Sequence, residues 1–220
     1  MDVTIKALLD LSRSLAGKRL AGLQYPWEAL EHIKDWILEI GAGLDPAEYE
    51  ERGPEVWVHR TAKVAPTAYL GGPCIIGPET EVRHGAFIRG SALVGAGCVV
   101  GNSVELKNVI LFDGVQTPHY NYVGDSILGY KAHMGAGSIT SNVKADKDLV
   151  VIRDGERRIE TGRKKVGAML GDFAEIGCNA VLNPGTVIGR HTNVYPTSCV
   201  RGAVPADSIY KTNGVIAPKE

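Results

Sequence analysis

From Val58 to Leu106 every sixth residue is aliphatic: Val58, Val64, Leu70, Ile76, Val82, Ile88, Val94, Val100 and Leu106. Four places after each of the first seven stands a small residue: Ala62, Ala68, Cys74, Thr80, Ala86, Ala92 and Cys98. The pattern returns at Leu170, Ile176, Leu182, Ile188, Val194 and Val200. A helix needs apolar residues three and four apart, and an ordinary strand alternates without a longer period. A strict period of six marks a parallel β-helix, where three short strands make one triangular coil of about 18 residues. Its aliphatic side chains stack inside, and its corners need small residues or glycine. The 27 glycines in 220 residues, about twice the usual share of roughly 7%, and the mere three Phe fit such a narrow interior.

Two breaks interrupt the register. Leu106 and Tyr122 are sixteen apart, and the pattern is read as resuming at Tyr122, Leu128 and Met134. The second break covers about residues 143–166, where Leu149–Arg153 and Glu156–Ile159 flank Asp154-Gly155, a hairpin signal. Residues 144–165 hold eight Lys/Arg against five acids, so a basic hairpin projecting from the coils is expected. It reads either as a solvated insertion or as a lid or phosphate-contacting element. Ahead of the repeats, residues 1–55 form an expected helical cap over the end of the stack, with substrate binding the alternative role. There, 3–15 and 26–40 have helical spacing, and Asp45-Pro46-Ala47-Glu48 reads as the start of a short helix. The solenoid is assigned to 56–205 and a tail to 206–220.

Charge is nearly balanced, 24 Lys+Arg against 25 Asp+Glu, which argues against a nucleic-acid partner held by global charge. The N-terminus has Asp2, Lys6 and Asp10 and no long apolar run, so no membrane association is expected and the cytoplasm is the default compartment. Cys74, Cys98, Cys178 and Cys199 show no zinc-like spacing, and Cys74 and Cys98 fall at the small buried position.

Arg89 and Lys107 each follow an aliphatic rung residue and lie 18 apart, one coil. Their side chains should then stack on one outer face at about 5 Å, the spacing of neighbouring strands. Two cations so placed repel unless an anion lies between them, and phosphate is the natural bridge; two solvated surface charges are the plain alternative. His119 sits in the first break among Tyr120, Asn121 and Tyr122, where an imidazole suits proton removal near neutral pH.

The run from Gly101 to Lys107, then His119-Tyr-Asn-Tyr-Val-Gly-Asp125, then Met134-Gly-Ala-Gly-Ser-Ile-Thr-Ser-Asn142, resembles the acetyltransferase domain of the bacterial bifunctional glucosamine-1-phosphate acetyltransferase/N-acetylglucosamine-1-phosphate uridyltransferase. The likeness is close over about 76–142 and looser over 167–204. It implies a left-handed coil, a homotrimer and acetyl-CoA as co-substrate; no metal is expected, because His32, His59, His84, His133 and His191 show no pair at metal-ligand spacing. It also implies that His119 is the general base, that Arg89, Lys107 and Tyr122 bind a phosphosugar, and that Ala136, Asn142 and Cys178 line the acetyl-CoA site. His133 stands where the family has a sugar-binding Asn, Val143 where it has Tyr and Cys178 where it has Ser; the basic hairpin is extra, and no Arg occupies the family's late CoA-binding position. Residues 1–55 show no Gly-rich nucleotide loop, so acyl transfer to an amino-sugar phosphate or nucleotide-sugar is expected without nucleotidyl transfer. A non-catalytic phosphosugar or nucleotide-sugar binding module is the alternative. A carbonic-anhydrase-like zinc site is a remote third reading, since its histidine set is incomplete.

Overall fold

The computed structural model describes residues 1–219, and from Val56 to Tyr210 the chain winds as a parallel β-helix. Val58 pairs with Ile76 and Ile76 with Val94, so one turn takes 18 residues as the period requires. The rung residues point inward and most are fully buried, among them Val58, Ile76, Val82, Ile88, Val94, Val100, Leu106, Leu182 and Val200. Each such burial contributes about 1.5–3 kcal/mol before entropy is charged against it. Many corners are turned by a residue at positive φ, including Glu79, Ser103, Asn108, Tyr120, Asp125, Lys131, Asn179 and His191. Each non-glycine there costs roughly 1–2 kcal/mol, which the stacked rungs on either side must offset.

The first break is two tightened corners rather than one interruption. Ile88 pairs with Leu106 eighteen residues on, yet Leu93 pairs with Ile110 only seventeen on. One residue is lost at the Lys107–Asn108 corner, and a second shortening at Gly124–Asp125 keeps the offset at seventeen from Leu111 to Leu128. The strands Glu105–Leu111 and Tyr122–Leu128 therefore run on around a corner without interruption. The inward residue after the break is Val123, paired with Leu106, and not Tyr122 as the spacing suggested. Tyr122 pairs with Glu105 and is only partly buried, on the outer surface.

Three faces result. The first carries an apolar column on its outside, Ile75, Leu93, Ile110, Ile127, Met169 and Val187, every one of them buried. This column, and not the open end of the stack, is what the N-terminal segment covers. Helix α1 (Ile5–Leu8), a 3₁₀ turn (Leu11–Arg13), α2 (Gly17–Leu20), a second 3₁₀ turn (Pro26–Glu31) and α3 (Ile33–Ala42) lie along the flank, with α3 packed on the strands Cys74–Ile76, Ala92–Val94 and Glu105–Leu111. The expected end-cap role is thus corrected: an exposed aliphatic column of this length must be covered, and it dictates where the amphipathic helix docks. Only Tyr49–Glu51 acts at the end, adding an antiparallel strand to Val56–His59. No helix forms at Asp45; its side chain accepts from the Ala47 N–H and its carbonyl from Glu48 and Tyr49, making a turn into that strand.

The basic hairpin, Val151–Asp154 with Arg157–Glu160, does not project. Val150 and Ile152 are fully buried against the strands Thr186–Ile188 and Ala203–Val204, continuing the cover of the first face. Gly185 permits this, since a Cβ there would lie 2.7 Å from Val150 Cγ1. The N-terminal amine closes the seam with Asp154 at 2.6 Å. At the far end, the described part of the expected tail, 206–219, is not a simple tail: Ser208–Tyr210 adds one more parallel strand, and Ile216–Pro218 folds back antiparallel upon it.

Candidate active site

The second face carries the strand Gln116–His119, the third carries the outward residue Tyr122, and His119 stands at the corner between them. Successive coils are tied at this corner by one repeated hydrogen bond. Tyr120 N–H donates to Asn102 C=O, Gly137 N–H to His119 C=O at 3.0 Å, Asn179 N–H to Ala136 C=O, and Thr197 N–H to Cys178 C=O. His119, Ala136 and Cys178 thereby form one column, a juxtaposition spread over sixty residues of sequence. The His119 ring is exposed and has no side-chain hydrogen-bond partner among the described residues.

Beneath it lies Asn121, buried and missed by the sequence reading. Its amide Nδ2 donates to Gly135 C=O at 2.8 Å and Ser138 C=O at 3.0 Å, while its Oδ1 accepts from His119 N–H at 3.2 Å. The histidine strand and the Gly135-Ala136-Gly137 turn are therefore fixed to a single side chain. Of that turn's amides, Gly135 donates to Ile176 C=O and Gly137 to His119 C=O; the Ala136 N–H has no acceptor among the described residues. Gly135 is required by close approach, because a Cβ would come within 2.7 Å of Cys178 N.

At the opposite end of the third face, Asp125 gathers Lys107, Tyr122 and Asn142, so Asn142 is parted from Ala136 and Cys178, with which the resemblance groups it at the acetyl-CoA site. Lys107 Nζ reaches the Asp125 carboxylate at 3.2 Å, Asn108 Nδ2 donates to it at 2.9 Å and Asn142 Nδ2 at 2.5 Å, while Asn142 Nδ2 also lies 3.3 Å from the Tyr122 hydroxyl. Burial, with the Asp125 and Glu105 charges nearby, raises the Tyr122 pKa above its ordinary value. Arg89 pairs with Glu105 at 2.7 Å, and this hydrogen bond raises the guanidinium pKa further. Arg89 and Lys107 do occupy adjacent coils, but their repulsion does not by itself demand a bound anion, because each already has a carboxylate partner. Asp125 and Glu105 were not singled out from sequence. The signal for Asp125 was the seventeen-residue spacing, which brings it one coil above Asn108.

His133 is not brought to either corner. It lies on the second face in register with Gln116, its Nδ1 2.8 Å from the Glu175 carboxylate. Among the described residues no cluster of three or more His, Cys, Asp or Glu is set to hold a metal ion, and no helix is long and apolar enough to cross a membrane.

A family model described as the GMPPB C-terminal domain matches residues 71–155, which include Arg89, Lys107, His119, Tyr122, His133, Ala136 and Asn142 but not Cys178. A bifunctional sugar-1-phosphate nucleotidylyltransferase/acetyltransferase of Sulfurisphaera tokodaii is 32% identical over 106 residues, 48% of this chain and 26% of the relative. The bifunctional protein GlmU of Methanococcus maripaludis is 28% identical over 116 residues, 52% of this chain and 28% of the relative. Among solved structures, a hexapeptide transferase family protein from Anaplasma phagocytophilum is 17% identical, with a TM-score of 0.40, covering 71% of this chain and 73% of that one. The chain spans about a quarter of the length of the two curated relatives. The resemblance read from residues 76–142 is borne out by these sequence matches.

Proposed function

We propose that this protein transfers an acyl group, with acetyl the expected one, from acyl-CoA to the amine of an amino-sugar phosphate or nucleotide-sugar, with His119 as general base. The observation that carries the reading is the third face itself. An imidazole with no partner among the described residues stands at one end, the Lys107–Asp125–Asn142–Tyr122 network at the other, and one extended strand separates them. From Asn121 to Asp125 such a strand spans roughly 13 Å at about 3.3 Å per residue, room for a sugar with its phosphate. The acceptor's phosphate would meet Lys107 and Arg89, displacing or sharing their carboxylates, and its amine would meet His119.

His119 takes the amine proton as the nitrogen attacks the thioester carbonyl. The C–S bond then breaks, and the CoA thiolate leaves with that proton. The carbonyl oxygen gains charge during attack, and the Ala136 N–H is the amide of the turn left to receive it. Cys178, one coil beyond Ala136, would border the acyl-CoA on the same column. A homotrimer would close each site with a neighbouring subunit, since one flat face cannot enclose two substrates. The reading is tested by CoA-thiol release with acetyl-CoA and a panel of hexosamine phosphates and nucleotide-linked hexosamines. His119→Ala should lower turnover by about 10²–10⁴, leaving CoA affinity within about twofold. If no acceptor releases CoA from the parent protein, the binding-module reading replaces this one; the existing ion pairs of Arg89 and Lys107 are the observation that favours it.

A further inference from the structure

The inserted hairpin returns to the solenoid directly beside Asp125. Val166 N–H donates to Asn142 C=O at 3.0 Å and Gly167 N–H to Asp125 C=O at 2.7 Å, so the segment 162–165 is held against the acceptor end of the third face. A depression of about 540 Å³ opens there, lined by Lys107, Asn108, Asp125, Arg163, Lys164 and Lys165. Four of these are cationic and one is acidic. Lys107 is matched by Asp125 and Arg163 by Glu31 at 3.3 Å. Lys164 and Lys165 are exposed and make no ion pair among the described residues. Neighbouring ammonium groups with no counter-charge repel, and a concave wall concentrates their field. The arrangement therefore favours an anion that extends past Lys107 toward the hairpin.

We infer that the hairpin base and the Lys107 corner form a subsite for the two linked phosphates of a diphosphate, so that the acceptor is a nucleoside-diphosphate-linked amino sugar rather than a sugar monophosphate. The inference rests on the acyl-acceptor reading above and specifies its substrate. A single phosphate at Arg89 and Lys107 leaves Lys164 and Lys165 without a partner. Two phosphates in tandem give each set of cations its own anion, and the nucleoside then lies beyond the hairpin side of the depression. CoA also contains a diphosphate; of its three expected wall residues Ala136 and Cys178 stand at the other end of the face, whereas Asn142 bonds to Asp125 at this one, so CoA is carried through the test as a competing occupant.

The test is calorimetric binding to the full chain, without turnover, of inorganic pyrophosphate, glucosamine 1-phosphate and CoA. Three proteins are compared: the parent, the double variant Lys164→Ala/Lys165→Ala, and a control, Arg158→Ala, altered on the exposed hairpin strand outside the depression. The double variant should bind pyrophosphate about tenfold or more weakly, within the range for lost charged hydrogen bonds. Glucosamine 1-phosphate should change by less than about threefold, while CoA and the control should not change. The proposal is overturned if pyrophosphate fails to bind the parent or binds both proteins alike. Equal losses of glucosamine 1-phosphate would mean a single phosphate site, and a loss of CoA would assign the cations to the donor; either also overturns it. If these binding results hold while no acceptor releases CoA from the parent, the acyl-transfer reading fails and the diphosphate subsite stands.

Discussion

Cys74 and Cys98 show how the coil interior sets chemistry at single residues. Both occupy the small inward position, and burial pushes each thiol up to about 12. At pH 8 such a thiol holds about three orders of magnitude less thiolate than a free one with a pKa near 8.5. Cys178 and Cys199 are exposed. A thiol reagent at pH 8 should therefore modify two cysteines rapidly and the other two only on unfolding, read by mass spectrometry of the labelled peptides. Rapid labelling of Cys98 would contradict the stacked interior. At the same scale, the types of the site residues were legible and their partners were not. His119, Tyr122 and Asn142 could be named from short blocks, but Asn121 and Asp125 act through bonds to other coils, which local spacing does not display.

Among the elements, the hairpin departs furthest from its sequence reading. Asp154-Gly155 does turn two strands as expected. The eight basic residues suggested a projection, either a solvated insertion or a lid or phosphate-contacting element, whereas Val150 and Ile152 bury its inner side on the first face. Removing the Ile152 side chain should cost about 2–5 kcal/mol if this packing is part of the cooperative fold. Denaturant unfolding of Ile152→Ala measures it, and a loss under about 0.5 kcal/mol would return the hairpin to a loosely attached insertion. The N-terminal helices follow the same rule. Their amphipathic spacing was visible, but the target of the apolar side was not, because the column from Ile75 to Val187 appears only when coils are stacked.

For the whole molecule, the apolar first face is covered from within the chain, and the third face is left open. Tyr69 and Phe87 lie on it, 59% and 43% exposed, with ring centroids 5.4 Å apart. An aromatic pair on the face that holds both site corners is a natural seat for a second copy. We therefore expect a homotrimer at micromolar concentration by light scattering, with Phe87→Glu shifting it toward monomer. A parent protein that is monomeric under these conditions would remove the neighbouring subunit from the proposed site.

The sequence by itself determined the solenoid. Six-residue periodicity is a local property, written by which side chains can stack inside a narrow coil, and Val58, Ile76 and Val94 meet as their spacing demands. It also supplied the block of residues at the site. Tertiary structure alone decided the register through the two shortened corners, which turn Val123 inward and leave Tyr122 outward. It alone decided which carboxylates neutralise Arg89 and Lys107, and that the hairpin base arrives beside Asp125. The physical reason is that these contacts cross from one coil to another. A change of one residue in a corner shifts every partner beyond it by one place, and no local pattern records where the shift is absorbed.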